Sequence, residues 1–384
     1  MIRPLPRSLS PIPDESLASY VLRLAHRLHI SPTHLLGMAG WTQGTYAHHL
    51  TAKLLVNIPQ AQKDSFAQLT RLAPEEVTEL TLSQWRDRYP PIARSNPGTG
   101  PLSWSDPWIF LNSPRFCPAC LAGDGTPAQQ LHGGPWRKMW YLPIAFTCTV
   151  HQEFLMHGCA YCDQPGGGLG RMVQRANDHT LHPAQCRWTP DGQVQKRKTR
   201  ACGHCLDNLA SWDPDRPQPT SDMLNFQRSL LTRLAPPATA KDASEYFTDL
   251  RLAAALITTT WPQGQHLFDA EAASRIDVHS RKLQTEITGR QRRVRDTPPH
   301  DSITCADLLI GAERALNRNG FPELVADFSQ AAFRSRPSRA SWSRIFDRDR
   351  DDCSERLRHA ATPVTRAFRR VGGCRGTQVP LRDG

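Results

Sequence analysis

What this chain lacks is any run of about 18 apolar residues, the length a helix needs to cross a bilayer, although it has 384 residues in which to place one. Its start, MIRPLPRSLSPIP, is proline-rich and holds no hydrophobic signal core. Together these absences exclude membrane insertion and make the cytoplasm the expected location. Acid is also short: 36 Asp and Glu stand against 47 Lys and Arg, which leaves a net charge of +11 and a pI near 9.3. That balance favours a polyanionic partner, nucleic acid first, and hence a nucleoid-associated protein. Two catalytic signatures are missing as well. No HExxH is present, and the Pro-Cys-x-x-Cys of FCPAC has no His-x-Glu ahead of it, so neither a zinc protease nor a nucleic-acid deaminase is expected.

What is there in quantity is cysteine, 11 residues, together with 32 prolines and 24 glycines. In a reducing compartment cysteines paired at two-residue gaps mean metal or redox chemistry rather than disulfides. The length allows two or three cores, joined by proline- and glycine-rich connections.

Prolines 4, 6, 11 and 13 keep the first 13 residues extended. From Asp14, apolar residues recur at helical spacing (Leu17, Tyr20, Val21, Leu24, Ala25, Leu28), predicting a helix to about His29. Ser31-Pro32 then supplies a cap and a first-turn proline for a short helix through Leu35 and Leu36 that stops near Gly40. A second pair of the same grammar runs from Phe66, Leu69 and Leu72 through Ala73-Pro74 to Val77, Leu80 and Leu82. Residues 86–115 lose the periodicity. After DPDRPQP the pattern is helical again, with Met223, Phe226, Leu230 and Leu231 as one apolar stripe and ADLLIGAERAL and PELVADF as later helices. The expected fold is mainly α with small zinc-ribbon β elements: a helix-turn-helix-like domain over 1–100, a tandem zinc-binding domain over 101–215 and a helical C-terminal domain over 216–384.

The metal reading rests on spacing. Zinc takes four thiolate or imidazole donors in a tetrahedron, and two close pairs brought together by a fold supply them. Cys117 and Cys120 make one pair, Cys148 and His151 the other, at the same gap. A second set begins with Cys159 and Cys162 and is completed from Cys186, Cys202 and Cys205, either by Cys202 with Cys205 or by Cys186 with Cys202. Both sets fill all four positions with protein donors, so two closed, structural Zn2+ sites are expected and no catalytic one. Cys305, Cys353 and Cys374 stand apart and are read as buried or incidental thiols.

Trp104, Trp108, Trp136 and Trp140 surround this block, and Trp136 and Trp140 are expected to pack in its core, with Arg137 and Lys138 between them solvated. The glycine run GGGLG at 166–170 and the basic stretch QKRKTR at 195–200 lie between the second-set cysteines. Candidate phosphate contacts are Arg290, Arg292, Arg293 and Arg295 in GRQRRVR and Arg366, Arg369 and Arg370 in RAFRR. Arginines of RDRDD at 348–352 have acidic neighbours and are read as a paired surface.

The stretches PIPDESLASYVLRLAHRLHIS, FCPACL, WRKMWYLP and CTVHQEFLMHGCAYC, in that order, resemble the TniQ family, related to the TnsD targeting proteins of Tn7-like transposons. The residues that carry the resemblance are Asp14, Glu15, Ser16, Leu17, Ser19, Tyr20, Cys117, Cys120, Trp136, Arg137, Trp140, Cys148, His151, Cys159 and Cys162. They cover roughly residues 1–205. The resemblance implies a non-catalytic accessory protein of DNA transposition. Such a protein links a target-recognition element, either DNA itself or an RNA-guided complex, to an AAA+ ATPase regulator and so to the transposase, in some cases as a homodimer. The alternative reading of the same residues is a zinc-containing helix-turn-helix transcription regulator.

Overall fold

The computed structural model describes residues 2–41, 52–95, 106–111, 113–164, 181–188, 201–208, 215–285, 296–319, 321–334 and 336–361. These are mostly helical, with a single two-stranded antiparallel sheet among them. They fall into two compact units, one of residues 1–240 and 298–306 and the other of residues 241–297 and 307–384. The lines expected after residues 100 and 215 lie inside the first unit.

The first unit opens with two helix pairs. Helix α1 (Leu17–Leu28) starts where the Ser16 hydroxyl accepts the Ser19 amide, and α2 (Pro32–Met38) where Ser31 does the same for His34. A short helix, α3 (Ala52–Val56), precedes the second pair, α4 (Gln60–Thr70) and α5 (Pro74–Glu79). The two turns follow one backbone path. His29 and Arg71 both take the left-handed conformation, with φ 53° and 61°, and Ser31 and Ala73 are both extended, with ψ 148° and 149°. Each is followed by proline at the first helical position, so the second turn repeats the first at an offset of 42 residues throughout. Ala73 has no hydroxyl to cap with, and the Glu76 carboxylate instead accepts the Ala73 N–H at 2.7 Å.

The pairs share a core. Tyr20 meets Phe66 edge to face at 6.1 Å, Trp41 stacks on Phe66 at 4.7 Å, and the Leu17 N–H donates to Leu80 O. Glu15 is enclosed with them. Its carboxylate accepts both Arg23 Nη1 contacts (3.0 and 2.8 Å), the Ser19 hydroxyl and the Ile12 N–H, so a buried charge is paired and all its near donors are accounted for.

Three more short helices, α6 (Pro90–Arg94), α7 (Pro118–Ala122) and α8 (Pro127–His132), lead to a 3-10 turn at Lys138–Tyr141 and to strands β1 (Thr147–Cys148) and β2 (Glu153–Phe154). Trp136 and Trp140 are both buried, edge to face at 6.3 Å. Lys138 is buried too, contrary to the solvated position expected of it. Its ammonium lies over the Trp85 ring, 5.7 Å from the centroid, and donates to Glu79 O, so the buried charge finds an aromatic face and a carbonyl.

Helix α9 (Ser221–Leu234) closes the unit. Leu224, Gln227, Leu230 and Leu234 are buried, while Met223 and Phe226 are half-buried. The Gln227 side-chain oxygen accepts the N–H groups of Phe146 (2.7 Å) and Thr147 (3.0 Å), and its amide donates to Ile144 O (3.0 Å). Three backbone groups at the entry to β1 are satisfied by one polar side chain that an apolar pattern cannot reveal.

Residues 298–306 are tied to the same unit through Arg115. This fully buried guanidinium donates to Pro143 O, Ala145 O, Pro299 O and His300 O at 2.8–2.9 Å and lies 4.9 Å from the Phe110 ring centroid. The Ser302 hydroxyl on Leu155 O and the Cys305 thiol on Pro143 O add to the attachment.

The second unit holds α10 (Ala240–Thr259, from its second residue), α11 (Ala270–Thr285), the larger part of α12 (Ser302–Asn317), α13 (Phe321–Arg334) and α14 (Arg336–Asp349). Its core surrounds the buried face of α10. Arg251 pairs with Asp349, and Asp349 and Asp296 share Arg348. No helix of the described residues is long and apolar enough to cross a membrane.

Candidate metal centres

The first cluster is assembled from two short pieces of backbone. Cys117 is extended and leads directly into α7, whose first turn carries Pro118 and presents Cys120 back toward it. Close passage of the chain behind Cys120 requires glycine at 134, where a Cβ would stand 1.9 Å from Cys120 O, and the Gly134 N–H donates to Leu121 O. The other half comes from the β1–β2 hairpin, paired Thr147 to Phe154 and Cys148 to Glu153, with Gln152 at φ 56° making the turn. Phe116 exchanges both backbone hydrogen bonds with Met156, which fastens the Cys117 segment beside the hairpin.

This brings Cys117, Cys120, Cys148 and His151 together, with their donor atoms all within 4.8 Å of one another. His151 Nδ1 lies 3.4, 3.3 and 3.5 Å from the sulfurs of Cys117, Cys120 and Cys148, and the Cys120 and Cys148 sulfurs are 3.6 Å apart. A sulfur separation of 3.6 Å is far from the ~2.05 Å of a disulfide. It fits a tetrahedron around zinc, whose bond lengths of about 2.3 Å to sulfur and 2.0–2.1 Å to nitrogen give edges of roughly 3.5–3.8 Å.

Hydrogen bonds from Cys117, then Cys120, hold the Cys148 thiol far below its ordinary value, helped by the His151 N–H at 3.4 Å. Contacts to Cys120 and Cys148 push Cys117 far above it, and Cys120, eased down by Cys117 but raised by Cys148 and burial, ends near 11. Three thiolates so close repel one another, and a divalent cation among them would turn that repulsion into binding.

The second cluster comprises Cys159, Cys162, Cys186 and Cys202, with donor atoms within the same 4.8 Å and with 3.7 Å between the Cys162 and Cys186 sulfurs. A hydrogen bond from Cys186 holds the Cys159 thiol down to about 5, and burial pushes Cys162 up to about 11. Cys205 stands outside this set, exposed, its sulfur 3.9 Å from Gln185 Nε2. The local backbone pairing separates it from the others. Residues 184–188 run antiparallel to 202–206, with Leu206 N–H on Ala184 O, Cys186 N–H on His204 O and Gln185 opposite Cys205. Cys205 lies opposite Gln185 and meets its side chain outside the cluster, whereas Gly203, at φ 72°, donates its N–H to Cys186 O next to the His204 pairing, a bulge that breaks the alternation before Cys202, which joins Cys186.

The remaining sequence candidates divide simply. Cys305 and Cys353 are buried thiols apart from either cluster. Arg348 is paired with Asp296 and Asp349, and Arg281 with Asp277. Arg290, Arg292, Arg293, Arg295, Arg366, Arg369 and Arg370 lie outside the described residues, as do Trp104, Cys374, GGGLG and QKRKTR.

The segments that carried the family resemblance are bonded to each other. Asp14, Glu15 and Ser16 run antiparallel to Trp136, Arg137 and Lys138: Ser16 N–H donates to Trp136 O, Lys138 N–H to Asp14 O, and Glu15 sits opposite Arg137. A family model, TniQ, matches residues 6–155, a span that contains this junction and the whole first cluster. Residues 6–155 are a TniQ domain. TniQ proteins are accessory proteins of transposition and in general are not catalysts. The second cluster and the second unit lie beyond the TniQ match. No curated protein and no solved structure matches the chain.

Proposed function

We propose that the protein is a non-catalytic, zinc-stabilised, DNA-associated adaptor of transposition that links recognition of a target site to an AAA+ ATPase regulator and its transposase. The observation that carries this reading is the TniQ domain over residues 6–155, with a four-donor cluster built into it. Both clusters would hold Zn2+ through Cys117, Cys120, Cys148 and His151 and through Cys159, Cys162, Cys186 and Cys202. Each set is complete in protein donors, so the metal would hold chain segments together and leave no position for substrate. The basic balance supports contact with DNA. In this reading residues 1–100 and 101–215 present the binding surfaces, and residues 216–384 carry the part specific to this lineage.

The deciding experiment is retention of the AAA+ ATPase encoded by the same host on this protein, with and without duplex DNA, across a salt series. Retention above the salt at which non-specific DNA binding is lost is the expected result. No retention, with tight sequence-selective binding of DNA by the protein alone, would replace the adaptor by a direct DNA reader.

A further inference from the structure

Neither cluster accounts for a group of imidazoles in the first unit. His26 projects from the last turns of α1, His29 follows at the left-handed turn, His132 ends α8, and His182 precedes the strand that carries Cys186. The rings meet around His26, whose centroid lies 5.1 Å from that of His182, 5.4 Å from His132 and 6.5 Å from His29, and the Nδ1 atoms of His26 and His132 face each other at 3.1 Å. His182 has its Nδ1 engaged by the Ala184 N–H and is packed against Gly133, where a Cβ would stand 3.0 Å from its ring.

The charges acting on His26 and His132 are of one sign. After burial, the groups acting on His26 are His182, His132, His29 and Arg187, and those acting on His132 are Arg27, Arg23, His182 and His29. Arg23 is already paired with Glu15, Asp207 acts on His182 in the opposite sense, and Arg187 donates to Leu181 O. Burial first, then these neighbours, bring His26 down to about 4 and hold His132 below the ordinary histidine value. The rim is open to solvent, with His29 exposed and Arg27, His26 and His132 half-buried. An anion at that rim would offset the repulsion, and a proton taken up by the His26–His132 pair would lie between the two facing Nδ1 atoms, one donating to the other.

We infer that the imidazole group of His26, His29 and His132, with Arg27 beside it, is a phosphate oxyanion site that takes up protons as it binds, its occupant being the backbone of a nucleic acid. This rests on the DNA-associated reading above and gives that reading a place on the surface. Binding would be favoured as pH falls from the ordinary histidine range toward His26's own value, and unlinked to pH above it.

Two measurements on the full-length, zinc-loaded protein test it. Histidine ring protons are titrated by NMR with and without inorganic phosphate at constant ionic strength, and duplex affinity is followed from pH 8 to pH 5, again at constant ionic strength. Phosphate is expected to raise the midpoints of His26 and His132, and duplex affinity to rise by up to about tenfold per pH unit for each proton taken up. Both effects should be lost in a His26→Gln, His132→Gln double variant and weakened in His29→Gln, which changes only an exposed ring and keeps the test valid if the double variant misfolds. Unmoved midpoints, or a pH slope identical in His29→Gln and the native protein, would overturn the site even if DNA binds. Raised midpoints without any duplex binding would keep the phosphate site, assign it to a free phosphate ligand and overturn the nucleic-acid assignment.

Discussion

Ser19 holds Trp136 by its backbone: the Ser19 hydroxyl accepts the Trp136 N–H at 3.0 Å and donates to the Glu15 carboxylate at 2.7 Å. One small side chain thus joins α1 to the tryptophan segment and, through Glu15, to Arg23. Two parts of the sequence 117 residues apart are held together by a hydroxyl that is itself buried.

Ser19→Ala therefore removes a partner from two buried groups at once, Trp136 N–H and Glu15. The expected loss is about 1–3 kcal/mol of stability, seen as a lower midpoint in chemical unfolding, with zinc content unchanged because no donor is touched. An unchanged midpoint would mean that the junction contributes little to the domain.

The clusters predict a metal count. Native protein should carry two zinc ions, and Cys205→Ser should keep both, whereas Cys186→Ser and Cys202→Ser should each lose one. Cys120→Ser or Cys148→Ser should lose the other and unfold the surrounding chain, since metal binding there is mostly folding free energy. Elemental analysis of purified variants decides it, and a Cys205→Ser protein with one zinc would contradict the placement of Cys205 outside the second cluster.

Asp14 supplies a pH dependence. It takes φ 65°, is half-buried with Oδ2 enclosed, and its carboxyl is raised to about 6, chiefly by desolvation and against the pull of Lys138 and Arg137. A carboxyl raised above its ordinary value holds its proton more tightly folded than unfolded. Its contribution to stability is whole below about pH 4 and is lost as pH climbs through about 6. Asp14→Asn tolerates the same backbone and carries no charge, so it should be more stable than the native protein at pH 7 by on the order of 1–3 kcal/mol. The gap should close as pH falls toward 4. Urea titrations at a series of pH values give the comparison, and a gap independent of pH would exclude Asp14 as its origin.

Arg115 spreads one cation over four carbonyls and one aromatic face. Lysine has the charge but not the planar fork, so Arg115→Lys should cost about 3 kcal/mol or more by leaving carbonyls unmatched in the interior. Thermal unfolding of the variant measures this, and a shift of less than a degree would show that water replaces the lost donors.

Much of this was legible in sequence where the cause is local. The cap at Ser31, the proline at position 32 and the two-residue gaps of the first metal set depend on neighbours a few positions away. The second set was not, because the exclusion of Cys205 depends on which residue of the 184–188 strand lies opposite it, and spacing alone does not carry that register. Gln227 and Lys138 were missed for a related reason. Each is polar by composition but buried by what it meets, backbone N–H groups of the hairpin entry in one case and Glu79 O beside Trp85 in the other. The matched turns were legible only through their shared residue-then-proline grammar, since His29 and Arg71 carry side chains where glycine is the common choice.

The chain leaves its first unit at residue 240 and comes back for residues 298–306 before leaving again. That path sets an order of events during synthesis. The N-terminal part, with both metal clusters, emerges from the ribosome while Arg115 still has only the Pro143 and Ala145 carbonyls to meet. Residues 241–297 must be made before Pro299 and His300 arrive to complete the set. A nascent first unit is therefore left with an unfinished interior at Arg115 for as long as the ribosome takes to translate the first stretch of the second one, residues 241–297.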